Sequence, residues 1–255
     1  MSQLSFNDIC GVKVSSVNLN LAAETIENWI KNRYKTYVCV APVSTIVECA
    51  RNSDYMKIVN SAGMVTPDGM SLVWLSKMTG DKTIERTYGP DLLETVCALS
   101  AEKGVKPFFY GGTPEILTRL VNRLKEKFPG INIVGSYAPP FRSKAEESTE
   151  VLAQMQAAQP DILWIGLGSP KQDFWMRRYR PELSVPVMIG VGAAFDFLSG
   201  AKKQAPRWMQ RSGLEWLFRL GCEPKRLWRR YLIGNTQFVY YVIKDFLRLG
   251  SKKYE

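Results

Sequence analysis

Short apolar runs alternate with longer amphipathic segments over most of the chain. Six runs rich in β-branched and aromatic residues predict strands at 36–43, 63–67, 106–112, 131–136, 161–168 and 185–192. Helical spacing of apolar positions predicts helices near 21–33, 44–53, 69–78, 89–103, 114–128, 145–158, 170–179 and 193–199. Several strands are apolar throughout, as expected of a parallel sheet covered on both faces. The pattern predicts an α/β fold in residues 1–199, with a Rossmann-like, mostly parallel sheet flanked by helices.

The pattern changes after Gly200, where strand signals stop and aromatic residues mix with Arg and Lys. We predict two or three helices, at about 206–221, 224–234 and 235–249, in a C-terminal basic helical appendage spanning 200–255. The appendage carries thirteen basic and four acidic residues, which is +9 of the net charge of +10. The chain therefore divides into a nearly neutral body and a basic appendage.

Arginines and apolar residues alternate along the appendage. The apolar residues are Trp216, Leu220, Leu227, Trp228 and Tyr231, and the arginines between them are Arg219, Arg226, Arg229 and Arg230. Such a surface suits docking on anionic lipid headgroups. It equally suits helices that pack on the body and leave their arginines solvated, and it could bind the phosphate backbone of a nucleic acid.

The composition excludes several kinds of chemistry. There is no histidine, so a Ser-His triad, a His-ligated zinc and a histidine base are all ruled out. No Asp-x-Asp pair is present to hold a divalent ion on a nucleotide diphosphate, and the five cysteines form no CxxC pair. We expect no metal and no cofactor, and acid–base work falls to Asp, Glu, Tyr or Lys.

The sequence also bears on the compartment. The first ten residues lack the charged-then-apolar pattern of a signal peptide, and no run of about 18 apolar residues occurs. The scattered cysteines are typical of buried apolar residues in a reducing compartment. We therefore expect a cytoplasmic protein.

Three predicted strands end in turns of small residues, at 111–114, 166–170 and 190–194. Ligands of open α/β sheets bind outside the carboxyl ends of the strands, where glycine lets phosphate oxygens reach backbone N–H groups. In any one of these turns, Gly and Pro could serve only to form the turn. Three such turns at the corresponding ends of three strands favour a phosphate-bearing ligand. None matches GxGxxG or a Walker loop, which disfavours a standard dinucleotide or ATP site.

Three groups of segments carry a family resemblance. They are TPDGMSLVW with ERTYGPDLL (66–74 and 85–93), GLGSPKQDFW (166–175) and GVGAAFDFLSGAKKQAPRWMQRSGLEWLFRLGCEPKRLWRRYL (190–232). In order and spacing they resemble the WecG/TagA/CpsF glycosyltransferases, glycosyltransferase family 26, from about residue 5 to 248. The resemblance implies a metal-independent, inverting transfer from a UDP-sugar to a polyprenyl-diphosphate-linked saccharide. It also implies a Rossmann-like body with a C-terminal appendage that docks on the membrane and helps close the active site.

The resemblance assigns catalytic roles to two residues. Asp68 matches the proposed base, which takes a proton from the acceptor hydroxyl, and Gly69 beside it would let substrate approach closely. Arg86 matches an arginine expected near the sugar nucleotide or the acceptor phosphate. Without the resemblance, an Asp-Gly pair is commonly a turn, and Arg86 beside Glu85 would suggest a surface ion pair.

Further residues are candidates for substrate binding. Gln172 would offer amide hydrogen bonds at a helix start, and Asp196 could accept hydrogen bonds from ribose or uracil. The full substrate-binding set is Gly69, Gly111, Gly112, Gly168, Lys171, Gln172 and Asp196. The four appendage arginines could meet the leaving diphosphate, the lipid diphosphate or membrane phosphates.

The chain departs from the family pattern at three places. Asp173 stands where the family usually has Glu, and Gln204 stands where it has Arg. Residues 41–45 replace a segment where many relatives carry Thr and Asn beside the sugar site. The donor sugar therefore stays open among glucose, N-acetylmannosamine and a mannosaminuronic acid.

The expected partners follow from this reading. They are a UDP-sugar donor, a polyprenyl-diphosphate-linked acceptor and the anionic inner leaflet, with no nucleic acid. We expect peripheral association with the inner face of the cell membrane, and the oligomeric state stays open, a homo-oligomer included. The alternative is a non-catalytic nucleotide- or nucleic-acid-binding α/β protein with a basic tail.

Overall fold

The computed structural model describes residues 4–140 and 146–251, with side-chain environments through residue 247. Two strands, β1 (Phe6–Ile9) and β2 (Val12–Ser15), form an antiparallel hairpin before the first helix. Cys10 and Gly11 connect them with φ angles of 54° and 85°, as a tight two-residue hairpin turn requires. This hairpin was not predicted from the sequence.

A six-stranded parallel sheet forms the centre of the described chain. Its strands are β3 (Thr36–Ala41), β4 (Met64–Pro67), β5 (Pro107–Gly111), β6 (Gly135–Tyr137), β7 (Ile162–Gly166) and β8 (Val187–Gly190). The spatial order is β4-β3-β8-β7-β5-β6, and every neighbouring pair is parallel. All six carboxyl ends therefore lie at one edge, where a ligand site is expected.

Helices cover both faces of this sheet. Those of the body are α1 (Leu19–Lys31), α2 (Val43–Arg51), α3 (Ser53–Asn60), α4 (Met70–Met78), α5 (Gly89–Lys103), α6 (Pro114–Lys127), α7 (Thr149–Ala157), α8 (Lys171–Tyr179) and α9 (Ala194–Leu198). Successive strand residues face opposite cores. On β7, Leu163 packs with the α2, α3 and α8 side, whereas Trp164 packs with the α1, α5 and α6 side. The two-sided burial explains why this strand is apolar throughout.

The predicted fold class is confirmed, and the differences concern the ends of elements. The predicted helix 44–53 is interrupted at Asn52, whose Oδ1 accepts hydrogen bonds from the N–H groups of Asp54 and Tyr55 and so begins α3. The predicted strand 131–136 is the short β6. The predicted helix 145–158 begins at 149, after Ser148 as its N-cap, and residue 145 lies outside the described residues.

The appendage is helical, as predicted, but its first helix is divided. Its elements are α10 (Arg207–Arg211), α11 (Glu215–Cys222), α12 (Pro224–Trp228), a π-helical turn (Arg229–Ile233) and α13 (Gly234–Ser251). Gly213 separates the first two with a φ of 74°. Helix α13 packs along α2, and Phe238 is 6% exposed within the core on that side. In the described ranges, no helix has the length and apolarity needed to cross a membrane. The division at residue 199 stays a prediction.

Candidate active site

A cavity of about 330 Å³ opens at the carboxyl ends of the central strands. One wall consists of the small-residue loops that follow β7 and β8, together with the first turn of α9. Asp68, the segment 88–90 and arginines of the appendage also line the cavity. The cavity is large enough for a small-molecule ligand and lies where open α/β sheets bind theirs.

Gln172 joins the two loops that follow β7 and β8. Its Oε1 accepts hydrogen bonds from the backbone N–H groups of Gly168 at 3.1 Å and Gly192 at 3.0 Å. Its Nε2 donates to Ser169 Oγ at 3.1 Å, and the residue is 2% exposed. The amide thus fixes the shape of this wall of the cavity. Its predicted contact with substrate stays a prediction.

The predicted glycines occupy different positions around the site. Gly112 and Gly168 line the cavity. Gly111 has a φ of 124°, and a Cβ there would come within 2.7 Å of the Gly166 backbone, so close strand packing requires glycine. Gly69 precedes α4 beside a second, smaller cavity, and Lys171 is the first residue of α8.

Asp196 lies in the first turn of α9 and lines the larger cavity. Its carboxylate is 3.0 Å from Lys202 Nζ, which is also 3.4 Å from Glu223 of the appendage. The candidate acceptor for ribose or uracil is therefore held in an ion pair at the cavity wall.

Asp68 follows β4 and lies where two cavities meet. The second cavity, of about 130 Å³, lies between α4 and the appendage, and Asp68, Arg219 and Arg230 line both. The Asp68 side chain is 18% exposed, and its Oδ1 is buried without a hydrogen-bond partner. A carboxylate in this position can reach ligands in either cavity.

Arg86 connects Asp68 to the appendage. Its Nε donates to the backbone oxygen of Asp68 at 2.5 Å, and its Nη1 lies 3.4 Å from the backbone oxygen of Gln210. Its Nη2 donates to Glu215 Oε2 and is 3.7 Å from Asp68 Oδ1, beyond hydrogen-bonding distance. The guanidinium also lies over the Tyr88 ring at 4.2 Å. Arg86 is thus fixed on several sides beside the candidate base.

Burial raises the pKa of Asp68 above its usual range. The Arg86 charge opposes this shift in the pKa, whereas the nearby Glu215 carboxylate adds to it. A carboxylate with a raised pKa binds protons more strongly, which suits a general base that removes a hydroxyl proton.

The four predicted appendage arginines divide into two groups. Arg219 and Arg230 line both cavities, and Arg230 Nη2 donates to Ser44 Oγ at 2.7 Å. Arg226 lines the larger cavity and pairs with Glu223. Arg229, by contrast, lines neither cavity and lies over the Trp228 ring at 5.2 Å. The first three bring positive charge to the site.

Asp173, the residue that departs from the family pattern, is buried behind the site. It is 1% exposed, and its Oδ2 accepts a hydrogen bond from the Tyr55 hydroxyl at 2.7 Å. Burial raises the pKa of this carboxyl. Asp173, which is one methylene shorter than the usual Glu, therefore lies in the core next to Gln172 and does not reach the cavity.

Sequence reasoning missed three residues that shape the site: Glu215, Tyr88 and Ser44. Glu215 and Tyr88 lie within segments that carry the family resemblance, so position in those segments was the available signal. Ser44 lies in the segment that departs from the family, and its contact with Arg230 spans 186 residues.

A profile of the glycosyl transferase WecG/TagA/CpsF family matches residues 7–252 of the chain. The chain belongs to this family. The chain is also similar to two relatives that are both named N-acetylglucosaminyldiphosphoundecaprenol N-acetyl-beta-D-mannosaminyltransferase. The Bacillus spizizenii protein is 35% identical over 197 residues, or 77% of this chain and 74% of the relative. The Bacillus subtilis strain 168 protein is 30% identical over 234 residues, or 90% and 88%.

Membership in the WecG/TagA/CpsF family confirms the resemblance and makes the chain a glycosyltransferase. It favours this reading over the non-catalytic nucleotide- or nucleic-acid-binding alternative. The roles of the individual site residues stay predictions.

Proposed function

We propose that this protein transfers a sugar, with inversion and without a metal ion, from a UDP-sugar to a polyprenyl-diphosphate-linked saccharide. The observation that carries the proposal is the position of Asp68, a partly exposed carboxylate that lines two adjoining cavities. An inverting transfer needs a base between a donor site and an acceptor site. The relatives support the lipid-linked acceptor, because their name specifies N-acetylglucosaminyldiphosphoundecaprenol.

The larger cavity suits the UDP-sugar. Its small-residue loops leave backbone close to a bound ligand, and Arg219, Arg226 and Arg230 supply positive charge. The departing UDP carries developing negative charge, which guanidinium groups stabilise through directed hydrogen bonds. In this proposal the arginines do the work that a divalent ion does in other nucleotide-sugar enzymes.

The smaller cavity suits the acceptor sugar. Asp68 would take the proton from the acceptor hydroxyl as that oxygen attacks the anomeric carbon, and the bond to the UDP oxygen would break on the opposite side. Arg86 is fixed beside the base by its bond to the Asp68 backbone. The wall formed by Trp216 and Tyr231 offers the apolar ring faces on which sugars commonly lie.

The site would work at a membrane surface, because its acceptor is lipid-linked. Apolar side chains are exposed along the appendage at helical spacing: Leu232, Ile233, Val239, Tyr240, Ile243, Phe246 and Leu247. Exposed Arg229 and Lys244 lie on the same stretch. We propose that this surface docks on the anionic inner leaflet, with each cation contributing about 1 kcal/mol near the headgroups.

The test is a UDP-release assay with a defined lipid-linked acceptor and a panel of UDP-sugars. UDP-N-acetylmannosamine is the first donor to examine because both relatives are named for that sugar, and UDP-glucose is the second. We expect release to need both substrates, to persist in EDTA and to give an inverted product. A panel that yields no acceptor-dependent release would overturn the proposal.

Asp68→Asn tests the base. We expect kcat to fall by about 10² or more, because amide nitrogen and oxygen cannot accept the proton. Asp54→Asn is the matched control, since Asp54 pairs with Lys57 at the surface with a side chain 79% exposed. Turnover of Asp68→Asn close to wild type, in a folded protein, would remove Asp68 from the role.

A further inference from the structure

Glu215, a carboxylate that the appendage contributes, lies within the candidate active site. It is the first residue of α11, its side chain is 13% exposed, and it lines the smaller cavity together with Asp68. Two arginines face it: Arg86 Nη2 donates to its Oε2, and Arg219 Nη1 is 4.0 Å from its Oε1. A buried carboxylate is costly unless it has such partners, so this placement is specific.

Glu215 binds the same Arg86 nitrogen that lies 3.7 Å from the Asp68 carboxylate. A guanidinium this close to Asp68 would ordinarily bind the aspartate in a direct, charge-assisted pair. Here Arg86 Nη2 donates its hydrogen bond to Glu215 and not to Asp68, whose Oδ1 is 3.7 Å away. The Nε of Arg86 is meanwhile used by the Asp68 backbone oxygen. The Asp68 carboxylate thus has the positive charge nearby without a hydrogen bond from it to Oδ1.

We propose that Glu215 is a positioning residue that holds Arg86 away from the Asp68 carboxylate and so keeps Asp68 available as a base. The proposal rests on the transferase function proposed above. A pair closed between Arg86 and Asp68 would occupy the oxygen lone pairs and stabilise the ionised form, which makes a weaker base. Glu215 prevents this closure and also adds its own negative charge near Asp68.

The direction of the Asp68 pKa agrees with this arrangement. Burial raises the pKa, Arg86 opposes the rise and Glu215 reinforces it. The charged and titratable groups that face Asp68 come from three segments: Arg86 and Tyr88 before α5, Glu215 and Arg219 on α11, and Arg230 and Tyr231 on the π-helical turn. Three of these groups are cations, and Glu215 is the carboxylate among them. Removing the Glu215 charge therefore leaves Asp68 facing a more positive surrounding.

Glu215→Gln is the decisive substitution because it keeps the shape of the side chain and removes the charge. We expect the acid limb of the kcat/KM profile to move to lower pH by about one pH unit, and kcat on the plateau to fall by about threefold to tenfold. Glu215→Asp retains the charge and should restore the wild-type limb. Glu85→Gln removes the same charge from an exposed position next to Arg86 and should leave the limb in place.

A second measurement needs no substrate. The ¹³C carboxyl signal of Asp68, assigned by its loss in Asp68→Asn, should titrate at lower pH in Glu215→Gln than in wild type. This readout tests the inference even if the transferase reaction itself is not observed, because it follows the proton on Asp68 alone. An Asp68 titration that is unchanged in Glu215→Gln, or displaced equally in Glu85→Gln, would overturn the proposal.

The double variant separates positioning from folding. If Glu215 acts through Asp68, Glu215→Gln should cost little further kcat in the Asp68→Asn background. Full additivity of the two losses, or a higher KM with an unmoved pH limb, would instead give Glu215 a purely structural role in seating the appendage.

Discussion

Replacing Gln172 by alanine removes an amide that ties the loops after β7 and β8 together. Three hydrogen bonds are lost: two from the N–H groups of Gly168 and Gly192, and one to Ser169. At about 1 kcal/mol net for each, the free energy of unfolding should fall by about 3 kcal/mol. In a chain of this size that corresponds to a melting temperature lower by about 6–12 °C.

Equilibrium unfolding in urea measures this loss, and two further variants interpret it. Gln172→Met keeps the side-chain length but makes none of the three hydrogen bonds, so its loss should approach that of alanine. Gln154→Ala is the control, because Gln154 is exposed on α7 and should change stability by no more than about 0.5 kcal/mol. If Gln172→Ala lowers the free energy of unfolding by less than about 1 kcal/mol, the three hydrogen bonds do not hold the two loops together as argued. A fully stable Gln172→Met would mean that packing, not hydrogen bonding, explains the burial.

Three other variants test separate parts of the structure. Because burial raises the pKa of Asp173, the native state holds its proton more tightly than the unfolded state, and stability should fall as pH rises from the unfolded pKa through the folded one. Asp173→Asn should abolish that part of the decline, measured by urea unfolding as the pH rises above about 4. Gly111→Ala should cost about 3 kcal/mol or more, from its φ of 124° and its contact with Gly166, whereas Gly221→Ala, in open space, should cost little. Val239→Glu with Ile243→Glu should lower sedimentation with anionic vesicles by about tenfold or more.

Each of these has a contradicting result. An Asp173→Asn protein whose stability declines with pH as steeply as wild type would mean that Asp173 does not supply the linkage. Equal losses for Gly111→Ala and Gly221→Ala would show that the strand contact tolerates a methyl group. Lys244→Glu adds negative charge on the same helix, so an equal loss of vesicle binding in that variant would assign docking to charge and not to the apolar stripe.

The central sheet could be predicted because burial on both faces leaves a direct mark on the sequence. Residues of β3 and β7 pack alternately into two cores, so neither strand has a solvent face on which polar residues could alternate. The hairpin at β1 and β2 left a weaker mark. Its strands have four residues each, and Cys10 takes the left-handed conformation more often found for Asn or Gly.

Helix ends were hard to predict where a capping residue or a glycine lies inside a continuous helical pattern of apolar residues. Asn52 is a good N-cap, but it lies inside a continuous helical period, and the pattern of apolar residues runs through the break into α3. Gly213 divides the appendage in the same way, although a glycine between two helical segments was visible in the sequence. In each case one residue ends the helix although the apolar periodicity continues: Asn52 through its side-chain cap and Gly213 through its backbone conformation.

In the candidate site, the base could be predicted from the sequence, but the residues that set its strength could not. Asp68 could be proposed as a base because the residue type, the preceding strand and the family pattern are all local to it. What determines its strength as a base is not local: Glu215, which holds Arg86, is 129 residues from that arginine in sequence. No spacing rule connects such positions, since their proximity depends on how the appendage returns across the carboxyl edge of the sheet. A carboxylate that looks like one more charge on a basic helix becomes, through that fold, the residue that we expect to set the proton affinity of the base.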